Sequence, residues 1–302
     1  MRFELTADQK DFAKALDALI GAAAPVAVAR AWADGDTAPG VALWRRIAEQ
    51  GVTMLATEAT PVELCVAFEV LGRHAVPGPW VESAAYLPVA LGREVEGIAT
   101  VSEPGRAEGL DADVADEAYV VVDGRLHRAE HDRAVPSVDR TRRLFELSAI
   151  EPTEPVQHGD LDAAYDLAVL ATAAQLLGAG ERVLADSVAY VKQRRQFGRE
   201  IGSFQAIKHA LADVRIALDF ARPLVQGAAL DPTPRSVSAA KVMAADAAYL
   251  AARSGLQVHG AIGYTQEFDL SIWLTRIRAL VTAWGTPAAH RARVLDSLVG
   301  RD

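Results

Sequence analysis

The sequence predicts a mainly α protein in three parts: an N-terminal helical domain over 1–96, a reduced β domain over 97–155 and a C-terminal helical bundle over 156–302. Three observations carry that reading. Capping signals precede amphipathic runs in the first ninety residues. After Gly97 the texture changes to short β-prone pieces ending in turn residues. From Leu161 onward the chain is rich in alanine and leucine, the strongest helix formers.

Taken in order, Thr6 followed by Gln9 makes a capping box ahead of Phe12, Leu16, Leu19 and Ile20, which share one helical face. Thr60, Pro61 and Glu63 supply an N-cap, a proline at the first helical position and the reciprocal acid for a helix that stops near Gly72. Two prolines in His74–Trp80 interrupt regular hydrogen bonding, and Val81 to Leu91 can resume a helix. In the β region, Ala118–Val122 runs into Asp123-Gly124, a hairpin-type turn. Glu151-Pro152-Thr153-Glu154-Pro155 reads as a proline-spaced linker. Two long helices fit Leu161 to Ala229, broken by a loop around Phe197 to Gly202. Asp231-Pro232-Thr233-Pro234 is the next break, Ser236 to Val258 a helix ending at Gly260, and Asp269–Ala283 and Pro287–Val299 two more.

The bulk properties exclude several classes. Hydrophobic residues make up 51% of the 302, against 24% charged, as in a globular protein. No apolar run free of charges is long enough to span a bilayer, and the start Met1–Leu5 lacks the apolar core of a signal peptide, so a cytoplasmic location is expected. A net charge of -9 repels a nucleic-acid backbone. Cys65, the single cysteine, rules out an internal disulfide and reads as a small core hydrophobe. The seven histidines make no metal-ligand spacing. Gly178-Ala179-Gly180 lies in a helical stretch with no preceding strand and reads as close helix packing, not a dinucleotide loop. Trp273 and Trp284 read as core or subunit interface.

Two segments are distinctive. Tyr190 to Gln205 is a basic, glycine-punctuated turn between long helices that offers the Arg194 guanidinium and the Phe197 ring to an anionic ligand with a planar group. An ordinary surface turn with salt bridges fits the same residues. Leu256 to Glu267 ends a helix in a glycine-rich loop that permits close backbone approach, and a simple cap and turn fits it equally.

In this order, inside this bundle, the two segments resemble the acyl-CoA dehydrogenase family. Leu5 to Phe12 resembles the family's first helix, Phe68 to Pro77 a second characteristic stretch, and Ser102-Glu103-Pro104-Gly105 an eroded form of its flavin-side loop. The resemblance implies an acyl-CoA dehydrogenase-like fold, with an N-terminal helical domain, a central β domain, here reduced, and a C-terminal four-helix bundle. It also implies FAD as cofactor, bound at a subunit interface, with these two segments reaching the adenosine end of a neighbour's FAD. Carried over residue by residue, it assigns Arg194 to the pyrophosphate and Phe197 and Phe204 to packing against the dinucleotide. Gln196, Gln205, Gln257, Val258 and Gly260 line the rest. Ala261 stands where the family has a second glycine, and its one methyl leaves room for the ligand.

Acyl-CoA oxidation removes a proton from the α carbon while hydride leaves the β carbon for the flavin, so a base is required. The family's glutamate falls, counting from Gly263-Tyr264-Thr265, on Trp284, and the family's second arginine on Arg278. Indole cannot accept the proton. An alternative position, on the helix before the arginine turn, reaches Ala168, with Asp166 about half a helical turn out of register. The pattern is similar to the smaller, base-lacking subunits of actinobacterial α2β2 acyl-CoA dehydrogenases that act on bulky thioesters such as steroid side-chain CoA. That resemblance implies a catalytic partner chain that supplies the base and binds most of the acyl-CoA. Two other readings stay open: a self-sufficient enzyme using Asp166 or Glu267, and a non-enzymatic oligomerisation scaffold.

Overall fold

The computed structural model describes residues 3–150, 155–156 and 158–300. The expected linker residues Glu151–Glu154 lie outside the described residues.

Helices α1 (Ala7–Gly21), α2 (Pro25–Ala33), α3 (Ala38–Ala48), α4 (Leu55–Glu58) and α5 (Pro61–Arg73) form the first part. Both predicted capping boxes are present: Thr6 with Gln9 on α1, and Thr60 with Glu63 on α5. After the prolines, a π turn at Glu82–Tyr86 runs into α6 (Leu87–Leu91).

The β region is a single five-stranded sheet of β1 (Ala99–Val101), β2 (Glu108–Leu110), β3 (Glu117–Val122), β4 (Arg125–Val135) and β5 (Leu144–Ala149), in the order β1-β3-β4-β5-β2. Strands β3 and β4 meet at Asp123-Gly124, where both residues adopt positive φ, as a two-residue hairpin with right-handed strand twist requires. The β1–β3 pair is parallel and the rest antiparallel, with a bulge in β4 between His131 and Ala134.

The C-terminal part is built on α7 (Leu161–Gln193), followed by a two-residue-strand hairpin β6 (Arg195–Gln196) and β7 (Arg199–Glu200), then α8 (Gln205–Leu230), α9 (Pro234–His259), α10 (Leu270–Thr282) and α11 (Pro287–Val299). Helices α7 to α10 form the bundle and α11 packs against α9. By length and composition α7 could cross a membrane, but 83% of its apolar window is buried inside the protein, as in the core helix of a folded domain.

Glycines set how close the helices come. A Cβ on Gly178 would lie 1.9 Å from the Glu69 carbonyl oxygen, and one on Gly72 2.1 Å from that of Gln175. The crossing of α5 and α7 therefore tolerates no side chain at either point, which bears out the packing role of Gly178. On the opposite side, Gly180 of α7 meets Ala248 of α9, Val183 and Ser187 meet Gly255, and Tyr190 meets His259. These contacts advance together along both helices, so α7 and α9 run parallel and end at the same end of the bundle. Helix α10 starts beside Gly255 and ends beside Lys241, antiparallel to α9.

One apolar core runs from the N-terminal helices into the bundle and includes Cys65, Trp273 and Trp284. The three parts are also tied by a buried polar knot. Arg276 of α10 pairs with Asp139 at 2.5 Å, donates to Thr141 Oγ1 at 2.6 Å and to the Val76 carbonyl at 3.1 Å.

Candidate functional site

The parallel course of α7 and α9 brings the two distinctive segments together. Tyr190, in the last turn of α7, stacks on His259, the last residue of α9, with ring centroids 4.2 Å apart. His259 Nδ1 is anchored on the Gly255 carbonyl at 2.7 Å, and Phe268 packs against its ring at 5.2 Å. From this stack Arg194 leads one way and Gly260 the other.

In the turn, Arg194, Gln196, Phe197 and Gln205 are exposed. Phe197 is 89% exposed and held at φ +53°, a left-handed backbone that a bulky residue seldom adopts. Its ring meets the edge of Phe204 at 6.2 Å, and the Arg199 guanidinium lies 4.0 Å over the other ring. Gly202 is pressed against Val191, which closes the hairpin onto α7. In the loop, Gly260 takes φ +63° and ψ -139°, a conformation open in practice to glycine alone, and nothing lies within 4 Å of where its Cβ would be. Gln257 and Ala261 are exposed beside it, whereas the Val258 side chain points into the core.

This end of the bundle therefore presents an exposed guanidinium, an exposed aromatic ring and bare backbone. Those groups fit the phosphate and planar ends of a dinucleotide such as FAD: arginine gives charge-assisted bonds to phosphate, and an exposed ring offers a stacking face.

Trp284, the residue on which the expected base position falls, lies elsewhere and is buried. Trp284, 1% exposed, packs on Tyr86 at 4.9 Å and Tyr165 at 6.1 Å. It sits at φ +54°, and its carbonyl accepts from Tyr165 Oη at 3.1 Å and from His290 Nε2 at 2.9 Å. Because that carbonyl only accepts, His290 carries its proton on Nε2, leaving Nδ1 to accept from Ser238 Oγ at 3.1 Å. Burial pushes the His290 imidazole down to about 4, so it stays neutral. Gly285 follows at φ +101°, with His290 and Tyr165 too close for any side chain there.

Other charges around this end are engaged. Asp166 is buried and paired with Arg293, whose guanidinium also lies 5.6 Å over the Tyr165 ring. Lys241 is wholly buried, donates to the carbonyls of Leu280 and Val281 at 2.9 and 3.1 Å, and is lowered to about 7 by burial. Glu267 is exposed at the far end of α10, in a cleft of about 290 Å³ with Arg30, which donates to its carbonyl at 2.8 Å. Arg278 is exposed on α10, while Arg276 is the buried arginine of that helix.

From Tyr165, which touches Trp284, to Tyr190, which touches His259, α7 advances about 38 Å at about 1.5 Å per residue. The residues suited to a dinucleotide and Trp284 thus lie at opposite ends of one helix. Sequence reasoning missed Lys241, His290 and the Asp139–Arg276 pair. A lone lysine in an alanine-rich helix gives no local sign that it will be buried.

Comparisons with known proteins agree with this architecture. Residues 166–299 match the acyl-CoA dehydrogenase C-terminal domain. The chain is 34% identical to acyl-CoA dehydrogenase IpdE2 of Mycobacterium tuberculosis over 277 residues, which is 84% of this chain and 85% of that protein. In fold it is similar to a chain of the ChsE4-ChsE5 complex of Mycobacterium tuberculosis, with TM-score 0.80, 21% identity and 99% of each chain covered. It is likewise similar to the Tcur3481-Tcur3483 steroid ACAD, with TM-score 0.82, 21% identity, and 97% and 98% covered.

Proposed function

The chain belongs to the acyl-CoA dehydrogenase family, and from that premise we propose that it is a non-catalytic subunit completing the FAD site of a catalytic partner chain. The observation that carries this reading is the separation of about 38 Å along α7 between the exposed Arg194–Gly260 end and the filled Trp284 position. A dinucleotide bound at the first end does not reach the second within one chain. The exposed end serves a flavin whose ring belongs to a neighbour.

In this reading Arg194 holds the pyrophosphate, Phe197 and Phe204 pack along the dinucleotide, and the Gly260 backbone, with Gln196, Gln205, Gln257 and Ala261 around it, closes the adenosine end. The bound FAD supplies the hydride acceptor for oxidation of a CoA thioester at its α and β carbons. The partner chain supplies the carboxylate base and most of the acyl-CoA contacts. Trp284 offers no lone pair to take a proton, and it is buried against Tyr86 and Tyr165. Likeness to the steroid ACAD and to a two-protein complex favours a bulky acyl group, such as a steroid side chain, and an α2β2 assembly.

The test is Arg194→Ala in the complex with the partner chain. Loss of most bound flavin with the assembly intact supports the proposal. Full flavin content and turnover in that variant contradict it.

A further inference from the structure

A second cavity, of about 140 Å³, lies on the Trp284 side of the molecule, between the π turn that also carries Tyr86, the β1–β2 region and the segment joining β4 to β5. Val101, Leu110, Val135, Pro136 and Leu144 give it apolar walls. Two buried charges face it. Glu82, in the π turn, is 3% exposed, and its Oε2 has no hydrogen-bond partner. Arg142 is 9% exposed, and among the described residues its guanidinium forms no hydrogen bond or ion pair. At the rim Glu103 and Arg106 pair with each other at 3.2 Å, and Glu108 is half-buried beside them.

The Glu82 Oε2 is left unpaired by the fold, and a polar group taken out of water without a partner costs on the order of 2–7 kcal/mol. Arginine's planar fork matches a carboxylate, and a protonated carboxyl is the side chain that can donate to the second carboxylate oxygen. Apolar walls suit a hydrocarbon tail. We propose that this cavity binds the carboxylate of a small organic acid, with one oxygen on the Arg142 guanidinium and the other on the Glu82 carboxyl.

Burial raises Glu82 to about 7, with Arg142 opposing and Glu103 and Asp111 adding to the rise. Asp111 is held by Trp32 at 2.8 Å and lies beside Arg143 at 3.4 Å, and Lys241 is the other buried cation of this neighbourhood. The site therefore carries its donor proton at neutral and lower pH. A carboxylate ligand binds the protonated form, so affinity falls as pH rises past about 7, approaching tenfold per unit.

The test is calorimetric titration of the full chain with butyrate at pH 6 and pH 8.5, with inorganic phosphate as a comparison. Saturable butyrate binding that weakens at least tenfold at the higher pH is expected, together with a loss of at least tenfold in Arg142→Gln. Glu82→Gln, which keeps a donor, is expected to bind at both pH values alike. No saturable binding to the unsubstituted chain, phosphate binding as tight as butyrate, or affinity indifferent to pH would each overturn the proposal. These three readings need no variant to fold.

Discussion

The Tyr190 ring lies flat against His259, 4.2 Å between centroids, and this one contact joins the last turns of α7 and α9. It fixes where the Arg194 turn and the Gly260 loop leave the bundle. The contact also follows from packing further down: Gly180 and Gly255 let α7 and α9 approach closely enough that their ends coincide. Replacing Tyr190 with alanine removes the stack and part of the cover over His259. A stability loss of about 1–3 kcal/mol is expected. In the complex, flavin retention should fall without loss of the assembly, which absorbance after gel filtration measures.

Trp284 fills its site with a large side chain packed on two tyrosines. Trp284→Ala opens a cavity and should cost about 3–5 kcal/mol in chemical denaturation. Trp284→Glu sets a carboxyl at the position expected for the base, among apolar rings, where burial raises its pKa. That variant, assayed alone, should show no acyl-CoA-driven flavin reduction, because the far end of α7 still holds the cofactor-suited residues.

Lys241 caps the end of α10 from inside the core. Its folded value near 7 lies below the unfolded 10.5, so between these values the unfolded chain binds more protons. The lysine's contribution to stability therefore rises with pH from about 7 to 10.5 and is smallest below 7. Lys241→Met leaves two buried carbonyls without a donor, at about 1–3 kcal/mol each. Melting curves should show the variant less stable, with the gap to the unsubstituted protein widening as pH rises through that window.

The Asp139–Arg276 pair is buried on both sides, so breaking it leaves a lone charge in the core. Arg276→Met should destabilise by about 3–5 kcal/mol. Adding Asp139→Leu should recover much of that loss, which a double-mutant cycle reads directly.

The parts of the fold legible in the sequence are the local ones. Thr6 with Gln9, and Thr60 with Glu63, act over three residues, and the Asp123-Gly124 turn over two. Helices α2 and α3 were not individually legible, because neither has a side-chain hydrogen bond at its N-cap; α2 starts at Ala24 in a left-handed conformation. The exposed turn and loop could be named because their residues are adjacent in sequence. The anchors of Trp284 could not: Tyr165 lies 119 residues from the carbonyl it holds. The same holds for Glu82 and Arg142, whose shared cavity forms only when the sheet folds over the π turn.

The most direct test of the central claim is flavin absorbance and acyl-CoA-driven flavin reduction, recorded for the chain alone and for the chain co-expressed with its catalytic partner. Flavin and turnover in the complex and neither in the isolated chain is the predicted result. An isolated chain that is yellow and bleaches with an acyl-CoA would contradict the account.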